Sequence, residues 1–94
     1  RLGVIMSNEP GIYITGQHGV RHENMLLCIE DSVNEYATWY RFRTLTCTYI
    51  DTTCLAPDIL SQEELDWVKD YNRTCIETLK PYLKKSEIEW LESK

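Results

Sequence analysis

Two glutamates fourteen residues apart, Glu9 and Glu23, carry the chemistry that the spacing of this chain suggests. Glu9 lies in Ser7-Asn8-Glu9-Pro10-Gly11 and Glu23 in Gly19-Val20-Arg21-His22-Glu23-Asn24, with Gly16 midway between them. A hairpin centred on Gly16 pairs residues whose numbers sum to about 32, so Glu9 opposes Glu23. Directly opposed β-carbons stand roughly 5 Å apart, a separation at which like charges destabilise a sheet. A cation between the carboxylates reverses that sign. The pair therefore reads in two ways, as part of a metal site or as a solvated sheet face.

The neighbours favour a fixed geometry. Pro10 biases Glu9 toward extended backbone by clashing with the helical conformation of its predecessor, and Gly11 offers torsional freedom where the chain re-enters a strand. The period of two places Arg21, Glu23 and Met25 on one face and Val20, His22 and Asn24 on the other. Arg21 thus accompanies Glu23, where a guanidinium can keep a ligand carboxylate ionised and oriented. His18 falls near the turn and reads as solvated, and His22 faces away from Glu23. Two carboxylates alone leave most of a cation's coordination sphere to other donors.

Other chemistries find little support. There is no Gly-x-Ser-x-Gly elbow, no paired Cys and His pattern and no phosphate-cradling glycine loop. A formal charge of −5 with no basic cluster argues against nucleic acid. The apolar runs are only a few residues long, so neither a signal peptide nor a membrane span is expected. Cys28, Cys47, Cys54 and Cys75 fit no metal-binding spacing and read as reduced thiols of a cytoplasmic protein. Asn72-Arg73-Thr74 fits the glycosylation acceptor pattern but sits inside a helical repeat, where it reads as ordinary helix surface.

The elements that position these residues follow from periodicity. Residues 2–8 and 19–29 read as strands, residues 40–49 as a further β-rich stretch, and the polar run 30–35 as the exposed loop before it. Residues 54–58, with Pro57, form a connector. Ser61 and Glu64 make a capping box at the start of a helix, along which Leu65, Val68, Tyr71, Cys75 and Leu79 mark one apolar face. Pro81 ends or kinks it. A short second helix, about residues 86–92, needs packing to be stable. Trp67, Trp90 and Leu91 are candidates for contact with another subunit.

Together these residues carry a resemblance to a known family. Val4-Ile5-Met6-Ser7-Asn8-Glu9-Pro10-Gly11-Ile12-Tyr13, with Gly19-Val20-Arg21-His22-Glu23-Asn24, resembles the last two metal-binding strands of the Xaa-Pro aminopeptidases (aminopeptidase P), in the pita-bread metallopeptidase family. Residues 42–51 resemble the strand that closes that catalytic domain, and residues 60–67 through 89–91 the short helical region after it. Departures are His22, where an aliphatic residue is usual, and Arg43 and Tyr49, where Glu and Pro are commoner. The resemblance implies two divalent cations, manganese by preference, held by two aspartates, a histidine and two glutamates. Only the glutamates, Glu9 and Glu23, have counterparts here. It further implies that Glu23 bridges both cations, that Glu9 binds one and handles protons, and that Arg21 supports Glu23.

The expected fold is α+β, an antiparallel strand meander followed by a helical pair, completing an α/β pita-bread domain in a larger parent. Residues 1–51 form the strand part and residues 52–94 the helical part. The chain begins at Arg1, without an initiator Met, and runs straight into a strand pattern, as a segment of a longer protein does. The implied parent removes the N-terminal residue from peptides with proline second, and is a homodimer. The segment alone, lacking three ligands, is expected to be inactive and to need the remainder of the catalytic domain. The alternatives are an acidic, non-enzymatic protein-interaction module and a structural domain with no site.

Overall fold

Gly16 adopts φ 72°, the left-handed conformation that a residue with a β-carbon rarely tolerates, and there the chain reverses. In the computed structural model, which describes residues 1–94, the Gln17 amide donates to the Ile14 carbonyl across that turn at 3.0 Å. The arms are β2 (Gly11–Ile14) and β3 (His18–Arg21), paired antiparallel as their own two-stranded ladder. Three further strands, β1 (Ile5–Asn8), β4 (Asn24–Val33) and β5 (Thr38–Thr44), form a second antiparallel sheet in the order β1-β4-β5. The central strand β4 supplies the one buried residue of these strands, Cys28, while Leu26, Leu27 and Ile29 are half-buried.

The expected strand 19–29 is thus two strands separated by His22-Glu23, and the second is longer than periodicity suggests. β4 continues through the polar Glu30, Asp31 and Ser32 to Val33, where the sequence predicts a loop. A bulge resets the ladder there, so that Glu30 pairs with Tyr40 and Ser32 with Trp39. The unpaired Asp31 reaches Arg41 at 3.3 Å. The turn itself comes later, where the Asn34 side-chain oxygen accepts from the amides of Tyr36 and Ala37. At its other end β5 stops at Thr44 rather than running on to residue 49. Pairing ceases where β4 begins, and Leu45 and Thr46 are instead held by Met25, through a backbone bond of 2.8 Å and the Thr46 hydroxyl at 2.8 Å.

The chain divides into two compact units, Arg1–Thr46 and Cys47–Lys94. The second is built around α1 (Gln62–Leu79), whose first turn carries the capping box: the Glu64 amide donates to the Ser61 hydroxyl at 3.1 Å and the Ser61 amide to the Glu64 carboxylate at 2.8 Å. Leu65, Val68, Tyr71, Cys75 and Leu79 all turn inward, as their spacing predicts. Tyr71 and Cys75 are buried, and Trp67 stacks on Tyr71 with ring centroids 5.2 Å apart. Pro81 ends α1 in a single 3-10 turn, and α2 (Lys85–Glu92) follows, tied back by an ion pair of 2.7 Å between Lys80 and Glu92.

Asn72 departs from expectation. It is buried, and both ends of its amide are committed: its oxygen accepts from the Ile50 amide and its nitrogen donates to the Ile50 carbonyl, each at 2.9 Å. The whole stretch between β5 and α1, residues 45–61, forms a longer connector than the expected 54–58, and the side chain completes its hydrogen bonding at Ile50 as a neighbouring strand would. It is therefore no helix-surface residue, and its amide nitrogen is closed to glycan attachment in the folded chain. The Tyr71 hydroxyl adds a parallel bond to the Thr48 carbonyl at 2.9 Å. No helix is long and apolar enough to cross a membrane.

Candidate metal centre

Proline has no N–H to give a ladder, and at Pro10 the pairing begun by β1 breaks before β2 resumes it. The opposite strand breaks at the same level, between β3 and β4, so Glu9-Pro10 faces His22-Glu23. The register proves continuous across this gap. On one side Asn8 pairs with Asn24, on the other Gly11 with Arg21, and every pair in both ladders has residue numbers that sum to 32. The His22 amide donates to the Pro10 carbonyl at 3.1 Å and bridges the gap. Glu9 and Glu23 are accordingly brought to the same level of the paired segments, the arrangement expected from a hairpin centred on Gly16.

Arg21 stands beside Glu23, its Nη2 3.2 Å from Oε2, with both side chains about half exposed. At that exposure the ion pair adds under about 1 kcal/mol to stability, so its effect is on orientation. His18 opens β3 opposite Ile14, away from the gap, and His22 contributes its backbone amide there. The close approach of β2 and β3 depends on glycine in a way the sequence did not reveal. Gly11 has no positive φ, so torsional freedom is not its function. A β-carbon at Gly11 would meet the Tyr13 hydroxyl at 2.6 Å and the Val20 carbonyl oxygen at 2.9 Å, and one at Gly19 the Tyr13 ring at 2.8 Å. The Tyr13 ring thus lies over both glycines, and the hairpin next to the gap packs as closely as it does because neither has a side chain.

Two carboxylates present hard oxygen donors of the kind that suit magnesium, calcium or manganese. They fit a divalent cation as a share of its ligand set. No group of three or more His, Cys, Asp or Glu side chains is gathered anywhere in the chain, so the remaining donors of such a site are not among these residues.

Comparison with known families gives the class of protein to which this α+β architecture belongs. Residues 38–94 match the model of the C-terminal region of peptidase_M24, and the chain belongs to that family. It is 31% identical over 91 residues to aminopeptidase P1 of Arabidopsis thaliana, covering 93% of this chain and 14% of that protein. An uncharacterized peptidase of Schizosaccharomyces pombe is 34% identical over 94 residues, covering 97% of this chain and 16% of its own length. Among solved structures, the X-prolyl aminopeptidase of Caenorhabditis elegans, described as a cytosolic enzyme with a di-nuclear active site, superposes with a TM-score of 0.82 at 28% identity. That match covers 99% of this chain and 16% of the nematode chain. The chain therefore spans roughly a seventh of the length of these relatives.

Proposed function

We propose that this chain is the C-terminal part of a metal-dependent aminopeptidase that removes the N-terminal residue from peptides with proline in second position, and that Glu9 and Glu23 are two of its metal-holding carboxylates. The observation that supports the reading is the single register on both sides of the gap, which puts Glu9 and Glu23 at one level, where a divalent cation between them would turn like-charge repulsion into attraction. The relatives' names, aminopeptidase P and X-prolyl aminopeptidase, support the substrate class. The di-nuclear centre of the nematode enzyme supports a pair of cations. Manganese suits the carboxylate donors.

The chain's own residues then divide the work. Glu23 would help to hold the pair of cations, with Arg21, 3.2 Å away, orienting its carboxylate. Glu9 takes a proton from the attacking water and delivers it to the prolyl nitrogen, which must be protonated to leave. What a bound pair of divalent cations supplies is a lowered pKa for water and stabilisation of negative charge on the attacked carbonyl oxygen. The remaining ligands and the proline pocket come from the rest of the catalytic domain. We assign the protein to the cytoplasm, in keeping with four cysteines that form no disulfide, and to a homodimer in its full form.

The test uses the chain joined to its upstream sequence. Glu9→Gln and Glu23→Gln should each abolish hydrolysis of an Xaa-Pro tripeptide. Glu23→Gln should also lose stoichiometric metal, and Glu9→Gln should lose more turnover than its metal content explains. Arg21→Lys should be milder, keeping the charge without the planar fork. Full activity in both glutamate variants would reduce the pair to a sheet face and end the proposal.

A further inference from the structure

Within the unit Cys47–Lys94, a cavity of about 700 Å³ opens between the connector, α1 and the end of α2. That volume lies inside the roughly 300–1,000 Å³ range of small-molecule sites. Its floor is apolar and half-buried, formed by Leu55, Leu65, Val68, Ile76 and Leu91. Its rim is not what the composition predicts. Between residues 47 and 94 there are ten acidic and six basic side chains, yet the cavity takes four of the bases, Lys69, Arg73, Lys80 and Lys94, and two of the acids, Glu77 and Glu92.

The rim cations are unequally committed. Lys80 is paired with Glu92 at 2.7 Å, which raises its pKa, and Arg73 with Asp70 at 3.0 Å. Lys69 and Lys94 enter no ion pair. The Lys94 ammonium rests 4.8 Å above the Trp90 ring, and it also contributes, after the bonds from Thr53, to holding the Asp51 carboxyl below its ordinary range. Lys69, in no ion pair, and Lys94, held by a ring face and by no carboxylate within ion-pair distance, over an apolar floor match one negative charge on an apolar body. Glu77 and Glu92 count against a compact, multiply charged anion such as phosphate.

We propose that this cavity is a binding site for a small amphipathic carboxylate, with the acid group against Lys69 and Lys94 and the apolar body on Leu65, Val68 and Ile76. A free monocarboxylic acid and the C-terminal carboxylate of an apolar peptide share this chemistry. The inference does not depend on Glu9 or Glu23, which belong to the other unit.

The experiment titrates the 94-residue chain with octanoate, octan-1-ol, octylamine, acetyl-Leu-Leu and acetyl-Leu-Leu-amide, followed by calorimetry and by amide chemical shifts. Octanoate or acetyl-Leu-Leu should saturate, moving the amides of residues 65–76, and each should bind at least about tenfold tighter than its uncharged or cationic analogue. The tighter of the two carboxylates identifies the source. The double variant Lys69→Glu, Lys94→Glu should weaken that binding by about tenfold or more, whereas Lys85→Glu, a fully solvated lysine outside the cavity, should leave it unchanged. Circular dichroism on each variant reports that the helices are intact. Binding of octan-1-ol equal to that of octanoate, failure of both carboxylates to saturate, or undiminished affinity in the folded double variant would overturn the proposal.

Discussion

At the scale of single residues, Gly11 and Gly19 make a comparison that separates two kinds of crowding. Alanine at Gly19 clashes with the Tyr13 ring, which can turn aside, and meets the Ile12 carbonyl at an ordinary 3.6 Å, whereas alanine at Gly11 also crowds the Val20 carbonyl at 2.9 Å, which is fixed by the ladder. Gly11→Ala should therefore cost more, about 1–3 kcal/mol, with Gly19→Ala milder; urea midpoints of the two variants check the order. Tyr71 and Cys75 set an alkaline limit. Burial raises both pKa values above the ordinary 10.0 and 9.0, with the Cys75 contact adding to the effect on Tyr71. The folded chain thus keeps protons that the unfolded chain releases, so this contribution is complete below pH 9 and is lost as pH climbs through the raised values. Urea midpoints should hold up to about pH 9 and fall from there to about pH 11. Tyr71→Phe should flatten the part of that fall above pH 10, at a cost of about 1 kcal/mol at neutral pH for the lost bond to Thr48.

At the scale of elements, the connector is held to α1 by side chains rather than by its own ladder, and Asn72 is the main clamp. Asn72→Leu should leave the Ile50 N–H and C=O without partners and cost about 1–3 kcal/mol. Asn72→Asp should be no rescue, because a carboxylate accepts from the amide but cannot donate to the carbonyl; thermal melts of both variants against the parent chain measure this. How much of this architecture the sequence announces depends on the range of the interaction. The turn at Gly16, the capping box at Ser61 and the stop at Pro81 are local, and each is legible. The length of β4 is not, because the bulge at Asp31 shifts the alternation on which a strand is recognised. Nor is the burial of Asn72, whose partner is a backbone twenty-two residues away and leaves no trace in residue type. One sign was available: Asn72 lies four residues after Val68 and three before Cys75, on the apolar stripe itself. At the candidate metal centre the opposition of Glu9 and Glu23 follows from turn position alone. The space under Tyr13 does not, because it is a property of packing.

At the scale of the whole molecule, the unit Arg1–Thr46 carries an unusual excess of uncovered apolar surface. Ile5, Ile12, Tyr13, Val20, Trp39 and Phe42 are each more than half exposed, which a stable monomer of this size rarely tolerates. Surface of this kind fits a segment that the remaining six-sevenths of a protein like its relatives would cover. With two of the five expected ligands, the 94-residue chain supplied with excess manganese should not turn over an Xaa-Pro tripeptide, since losing members of a catalytic unit is close to total loss. Turnover by the pure chain that disappears in Glu23→Gln would contradict this. The unbroken register across the gap bears, finally, on how such sequences can change in length. Each residue inserted or deleted on one side, between Asn8 and Gly11 for instance, slides that strand by about 3.3 Å and turns its side chains to the opposite face. Glu9 would then miss Glu23 and point away from it. Compensation requires an equal change between Arg21 and Asn24, so the two stretches behave as one unit of inheritance in which gaps are admitted only in pairs, while the turn at Gly16 can lengthen without disturbing either carboxylate.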